Sequence, residues 1–212
     1  MSSATNPRID IDDTRGALLQ SAAREIHYYG FRSASLSRIL AETGVTKGAL
    51  YHHFSSKRAL GYAVLDECYA PIMRETWIEP LRRLDTDAVS ILIAIIEKAG
   101  SEISPQDLER GCPINNLAQE MSPVDAGFRT RIEALLAEWR AAIATALRRS
   151  QADGEVASHV QPDAAATFIV ASLEGCIGMA KNAQSHEMLL QCGAGLIDYL
   201  RTLHVVPDGE AH

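Results

Sequence analysis

The sequence predicts an all-α protein in two parts, an N-terminal three-helix domain over residues 1–60 and a larger helical domain over residues 61–212. Three observations carry the prediction. Apolar residues recur every three or four positions from Leu18, Leu19, Ala22, Ala23 and Ile26 through to Leu189, Leu190, Leu196, Ile197 and Leu200, and no segment alternates with period two. Helix start and stop signals punctuate these runs, with Ser35 and Thr46 placed as N-caps and Gly30 and Gly44 as terminators. The charge is unevenly divided: residues 1–60 hold eight basic against five acidic residues, while the rest holds twelve against twenty-two, within a net charge of −7.

Residues 1–11 are polar and contain Pro7. They read as a mobile arm in which Arg8 either reaches nucleic acid or belongs to a disordered terminus. The first helix is expected from Asp13 to Tyr29, with Asp12 and Asp13 at the positive end of its dipole. Leu36 to Thr43 forms the second and Lys47 to His53 the third, with Leu50 and Phe54 pointing inward and Phe31 plugging the small core. Ser55 or Ser56 caps a fourth helix from Lys57 to about Glu79, which Pro71 should kink and Pro80 should end or bend. Asp85 to Ile103 follows, then a short piece from Ser104-Pro105 to Gly111, and a short helix opened by Cys112-Pro113. A long helix is expected from Val124 to Ala152, capped by Ser122 and Pro123. After the Asp153-Gly154 turn, the last two run from Pro162 to about Asn182 and from His186 to His204, before a short tail. The total is nine or ten helices.

Ser35 to Phe54 holds the chemistry. Two short helices around a Gly-containing turn make a helix-turn-helix, and the second presents Lys47, Tyr51, His52 and His53 outward. The major groove of DNA admits one helix and displays a distinct donor and acceptor pattern for each base pair. The alternative is a helical adaptor whose motif packs on protein. The string Thr46-Lys47-Gly48-Ala49-Leu50-Tyr51-His52-His53-Phe54, followed by Lys57, resembles the recognition helix of the TetR family of transcriptional regulators. Ala22, Gly30, Phe31, Leu36, Ile39, Ala41, Gly44 and Val45 also fit that family's pattern, and the strong resemblance covers about the first quarter of the chain.

The resemblance implies that Thr46, Lys47, Tyr51 and His52 face the DNA and that Lys57 contacts the backbone. Ser35, Ser37 and Arg38 are placed to donate to phosphates, and small Gly48 and Ala49 allow close approach to the bases. Tyr51 is otherwise a half-buried packing residue, and His53 is open between contact and packing. The family also implies a homodimer on a palindromic operator, assembled through the last two helices. The helix from Ala164 to Ala180 fits this, being nearly apolar all round and rich in small residues. Phe168, Ser172 and Gly175, with Leu189, Gly193, Leu196 and Leu200, are the expected interface; the alternative is the core of one domain.

A small-molecule effector would bind among the helices from Asp85 to Asn182. Phe128, Trp139, Phe168 and Met179 are the apolar candidates, and Asn115, Asn116, Glu120 and Glu174 the polar ones, although aromatic residues at helical spacing also suit an ordinary core. Gly111-Cys112-Pro113-Ile114-Asn115-Asn116-Leu117 and Leu173-Glu174-Gly175-Cys176-Ile177-Gly178-Met179-Ala180-Lys181 resemble segments of a TetR branch that includes NemR-type sensors of electrophiles. That makes Cys112 a redox-sensing candidate. A helix start favours thiolate, and Lys181 would favour it further if the fold brings the two together. The alternative is a buried, inert Cys112.

Several classes are excluded. No apolar run is expected to cross a bilayer and no signal-peptide pattern precedes the head, so a cytoplasmic protein without a membrane partner is expected. The four cysteines show no CxxC, which indicates neither a disulfide framework nor a zinc ribbon, and Cys68, Cys176 and Cys192 read as packing residues. No metal or cofactor is expected. GxSxG, HExxH, P-loop and GxGxxG patterns are missing, which argues against a helical enzyme.

Overall fold

Polar caps set the helix boundaries. In the computed structural model, which describes residues 11–83 and 86–205, the hydroxyls of Ser35, Thr46 and Ser56 accept from the backbone N–H three residues on. The head is α1 (Ile11–Ser33), α2 (Leu36–Thr43) and α3 (Lys47–His53). Gly30 breaks the first of these at φ 77°, and one further turn follows it. Gly44 closes the second in the left-handed conformation, φ 68°, with its N–H on the Leu40 carbonyl. The arm with Arg8, and the tail beyond Val205, lie outside the described residues.

Residues 57–83 form one long helix, α4, with two wide turns in it. Leu65–Tyr69 and Arg74–Ile78 are π-helical, and each is followed two residues later by a proline, Pro71 and Pro80. A proline has no N–H for the carbonyl four residues back, and its ring clashes with that carbonyl. Widening the preceding turn re-spaces the carbonyls, so the helix continues to Arg83 instead of ending near Pro80.

The body adds α5 (Ala88–Glu102), α6 (Pro105–Arg110), α7 (Pro113–Met121), α8 (Ala126–Ala152), α9 (Pro162–Ala183) and α10 (His186–Arg201), making ten helices among the described residues. The helix expected from Asp85 starts later, because Asp87 is its cap and accepts from Ser90 N. Likewise Asp125 caps α8, accepting from Gly127 N and Phe128 N at 2.8 and 3.1 Å, in place of Ser122 and Pro123. One isolated antiparallel bridge, Val156 to His204, is the only extended pairing among the described residues.

A single hydrophobic cluster runs through head and body. At its centre Phe128, fully buried, stacks edge-on with Phe31 and with Tyr62, both at 4.8 Å between centroids. This corrects the reading of Phe128 as a ligand contact. Gly61 makes the approach possible, since a Cβ there would lie 2.4 Å from Phe31 Cε2 and 2.9 Å from Phe128 Cζ.

Two further expectations fail in the body. By length and composition α9 is apolar enough to cross a bilayer, though a third of its most apolar window is buried in this chain, where it packs along α8 and α10. Cys176 and Cys192, expected as packing residues, form a disulfide that staples α9 to α10. Nothing in the spacing of two cysteines on successive helices signals that their faces will meet.

Gly61→Ala should cost about 1–3 kcal/mol by overpacking. That predicts a thermal midpoint several degrees lower, at roughly 2–4 °C per kcal/mol for a chain of this size; an unchanged midpoint in circular dichroism would show that Phe31 yields freely. Alkylation of protein purified without reductant, under denaturing conditions, should label two cysteines, Cys68 and Cys112, and four after a dithiol. Four labels before reduction would remove the staple.

Candidate functional site

The head presents one outward face. Leu50 and Phe54 are buried beneath α3, and Thr46, Lys47, Gly48, Tyr51 and His52 are exposed on its other side. Tyr51 is 45% exposed, with the Lys47 ammonium 6.0 Å from its ring centroid. Ala49 is half-buried, and Thr46 Oγ1 accepts from its N–H. His53 is half-buried against Phe54, with ring centroids 6.3 Å apart, which favours packing over contact.

Three of the expected phosphate donors already have structural work. Ser35 caps α2, and its own N–H donates to Glu25 Oε1 at 2.8 Å. Arg38 Nε donates to the same oxygen at 2.8 Å, and the guanidinium lies over the Tyr29 ring. Glu25 is nearly buried, so this pair joins α1 to α2 and neutralises Arg38. Lys57 Nζ donates to the Arg32 carbonyl at 3.0 Å, and burial pushes its pKa down. Ser37 and Lys47 remain exposed.

Glu120 is the centre of the seam between head and body. Its carboxylate accepts from Phe31 N at 2.7 Å and from Arg32 N at 2.8 Å, the two N–H groups that the break at Gly30 leaves open. It is therefore a clamp on the turn after α1 and not the effector contact expected. Gly30 is required here on two counts: its φ is positive, and a Cβ would meet Glu120 Oε2 at 3.0 Å. A second tie runs between His27 Nε2 and the Gly111 carbonyl, 2.8 Å apart. Both ties involve the short stretch from Gly111 to Met121.

A cavity of about 260 Å³ opens between α5, α9 and α10. Ile96, Leu173, Ile177 and Leu190 supply much of its wall, with Trp77 from α4 and Cys112 from the start of α7. None of the eight expected ligand residues lines it. Trp139 is buried behind Trp77, with ring centroids 5.2 Å apart, and Glu120 and Phe128 are committed at the seam. Asn116 donates to the Arg110 carbonyl and accepts from Lys181, while the Asn115 N–H donates to Cys112 Sγ. Phe168 and Met179 are 51% and 56% exposed on the outer side of α9. Leu189 and Gly193, expected at the dimer interface, line the cavity. Their periodicity marks them as inward-facing but is the same for a filled core and a hollow one.

Cys112 does not have the chemistry expected of a reactive thiol. The Lys181 stem passes Gly111, next to Cys112, but its ammonium donates to Asn116 Oδ1 at 2.9 Å. Burial first, then the Glu174 carboxylate beside it, push the thiol well above its ordinary range. The backbone N–H groups of Asn115, at 3.5 Å, and of Ile114 at the helix start do not compensate. Glu174 is itself raised by burial, and its Oε2 is buried without a hydrogen-bond partner.

Outside the cavity, α9 and α10 leave an apolar groove. Phe168 stacks on Tyr199 at 4.7 Å, beside Ser172, Gly175 and Met179. Gly175 has open space where a side chain would project. Leu196, which borders the groove, and Leu200 are both buried in the chain's own core.

Known proteins match this chain in sequence and in fold. The family model for bacterial regulatory proteins of the tetR family matches residues 18–64, and that for the LmrA/YxaF-like C-terminal domain of transcriptional regulators matches residues 88–194, half of the chain. The transcriptional repressor DhaR of Mycobacterium sp. is 29% identical over 169 residues, covering 76% of this chain and 79% of that protein. The transcriptional regulator AcuR of Cereibacter sphaeroides is 28% identical over 172 residues, 78% and 75% of the two chains. The crystal structure of a TetR transcriptional regulator from Chloroflexus aurantiacus matches with a TM-score of 0.81 at 29% identity, over 92% of this chain and 97% of that one. Reduced NemR of Escherichia coli matches with a TM-score of 0.80 over 92% and 99%, and at 24% identity it speaks for the fold alone. The chain belongs to the TetR family of bacterial transcriptional regulators, with a C-terminal domain of the LmrA/YxaF-like kind.

Proposed function

We propose that this regulator is a dimeric repressor whose two heads hold a palindromic operator until a small molecule enters the cavity between α5, α9 and α10. One observation carries the reading: α7 joins the two sites. Cys112, its N-cap, lines the cavity, and Glu120, near its other end, clamps the head. Nine helical residues span about 13 Å and act as a rod. A ligand that displaces the Cys112 end moves the Glu120 end, and with it the turn that sets α1 against α2.

The reading face is Ser37, Thr46, Lys47, Gly48, Ala49, Tyr51 and His52, with Arg38 and Lys57 holding the head in shape behind it. The head spans residues 1–60 and the ligand and dimer body residues 61–212. Two heads must sit about 34–36 Å apart, or a small multiple of that, to enter successive major grooves on one side of the duplex. A small rotation of each head therefore costs affinity at both half-sites. DNA in turn disfavours the ligand by the same factor. The dimer partner covers the outer face of α9 and α10 at Phe168, Ser172, Gly175, Met179 and Tyr199. The relatives DhaR and NemR are transcriptional repressors, which supports repression here, and the setting is the cytoplasm, where bacterial DNA lies.

Lys47→Ala and Tyr51→Ala should each weaken operator binding by about 1–3 kcal/mol. Lys47→Ala should also flatten the salt dependence by about one phosphate. Unchanged affinity in fluorescence anisotropy, with a native circular dichroism spectrum, would move the reading face elsewhere. Gly175→Leu should yield a folded monomer in analytical ultracentrifugation, and a normal dimer mass would remove the α9 outer face from the interface.

A further inference from the structure

We infer that the cavity between α5, α9 and α10 takes a compact, uncharged lipophile and rejects carboxylates of the same shape. The inference rests on reading that cavity as the effector site and adds the chemical class of its occupant. The walls state the selection. Glu97 is the only charged side chain among the lining residues, and Cys112 and the Trp77 indole supply the only other side-chain polar functions. Cys176, also in the wall, is spent in its disulfide.

A carboxylate entering such a site loses its water and finds no cation. Lys181, whose stem passes Gly111 beside Cys112, holds Asn116 and does not line the cavity. Two acids oppose it further: Glu97 in the wall and Glu174 behind Cys112. An amine gains little in return, because Glu97 is exposed and its attraction is screened by solvent. The Cys112 thiol stays protonated at neutral pH with Glu174 as its hydrogen-bond partner, which leaves only a weakly polar sulfur for a hydroxyl or carbonyl on the ligand. The volume of about 260 Å³ suits a single ring with a short tail.

Gly193 supplies the control. Its Cβ would meet Ile96 at 3.8 Å, an ordinary contact, so a larger side chain grows into the cavity without a clash at its root. Replacing a mid-helix glycine also favours the helix. Gly193→Leu should therefore fill the site in a folded protein.

Three matched probes test the selection: 4-phenylbutan-1-ol, 4-phenylbutylamine and 4-phenylbutanoate, titrated against the full chain by calorimetry and by Trp fluorescence. The alcohol should bind, the other two at least tenfold more weakly, and Gly193→Leu should lose the alcohol. Carboxylate or amine binding as tight as the alcohol's, and lost in Gly193→Leu, would overturn the charge selection while keeping the cavity as a ligand site. Failure of all three on the wild type, or alcohol binding undiminished in Gly193→Leu, would overturn the effector-cavity reading itself. Glu97→Lys, at this exposed and screened position, should change carboxylate affinity by less than tenfold, and a gain of tenfold or more would show that Glu97 and not the dry apolar wall makes the selection.

Discussion

The relation of head to body depends on a carboxylate placed over a broken helix. Gly30 turns the chain out of α1 and leaves the N–H groups of Phe31 and Arg32 without helical acceptors. Glu120 accepts both, and Lys57 donates to the Arg32 carbonyl from the other side. Hydrogen bonds to a charged group contribute about 1.5–3 kcal/mol each, more than an exposed ion pair such as Arg24–Glu42. The apolar contact of Phe31 with Phe128 seals the same junction. A backbone held at both its N–H and C=O groups has little freedom to tilt, so the head follows whatever carries Glu120.

Much of this was legible from residue order. Ser35, Thr46, Gly30 and Gly44 mark their helix ends because capping is local chemistry, decided within four residues. The face of α3 was legible for the same reason, since Leu50 and Phe54 fix which side is inward. Long-range partners were not. Glu120 and Phe31 are 89 positions apart, and a glutamate near the end of an amphipathic helix has no mark that distinguishes a backbone clamp from a ligand contact.

Cys112 shows how a local argument loses to a tertiary one. The helix start does offer an N–H to its sulfur, as the sequence leads one to expect. A partial positive charge stabilises a thiolate that water can reach. Here the sulfur is buried and a carboxylate is its neighbour, and both effects act in the opposite direction. The cations of this region are drawn to amide and carbonyl oxygens, Lys181 to Asn116 and Lys57 to Arg32, leaving none for the sulfur.

The apolar character of α9 has three causes, and the sequence merges them. Ala166, Ile169, Val170 and Ala180 are buried within the chain, Leu173 and Ile177 wall the cavity, and Phe168, Gly175 and Met179 face outward. A helix that serves a core, a cavity and an outer face needs no polar stripe, so its all-round apolar composition does not separate a dimer face from the other two duties. Cys176 stands where two of these duties meet, lining the cavity on one side and the outer groove on the other, with its disulfide fixing α10 alongside. A rod stapled in this way transmits displacement instead of absorbing it. On the proposed effector reading, a ligand pressing on Leu173 or Ile177 would reach the outer groove as well as Cys112, because the one staple joins both walls.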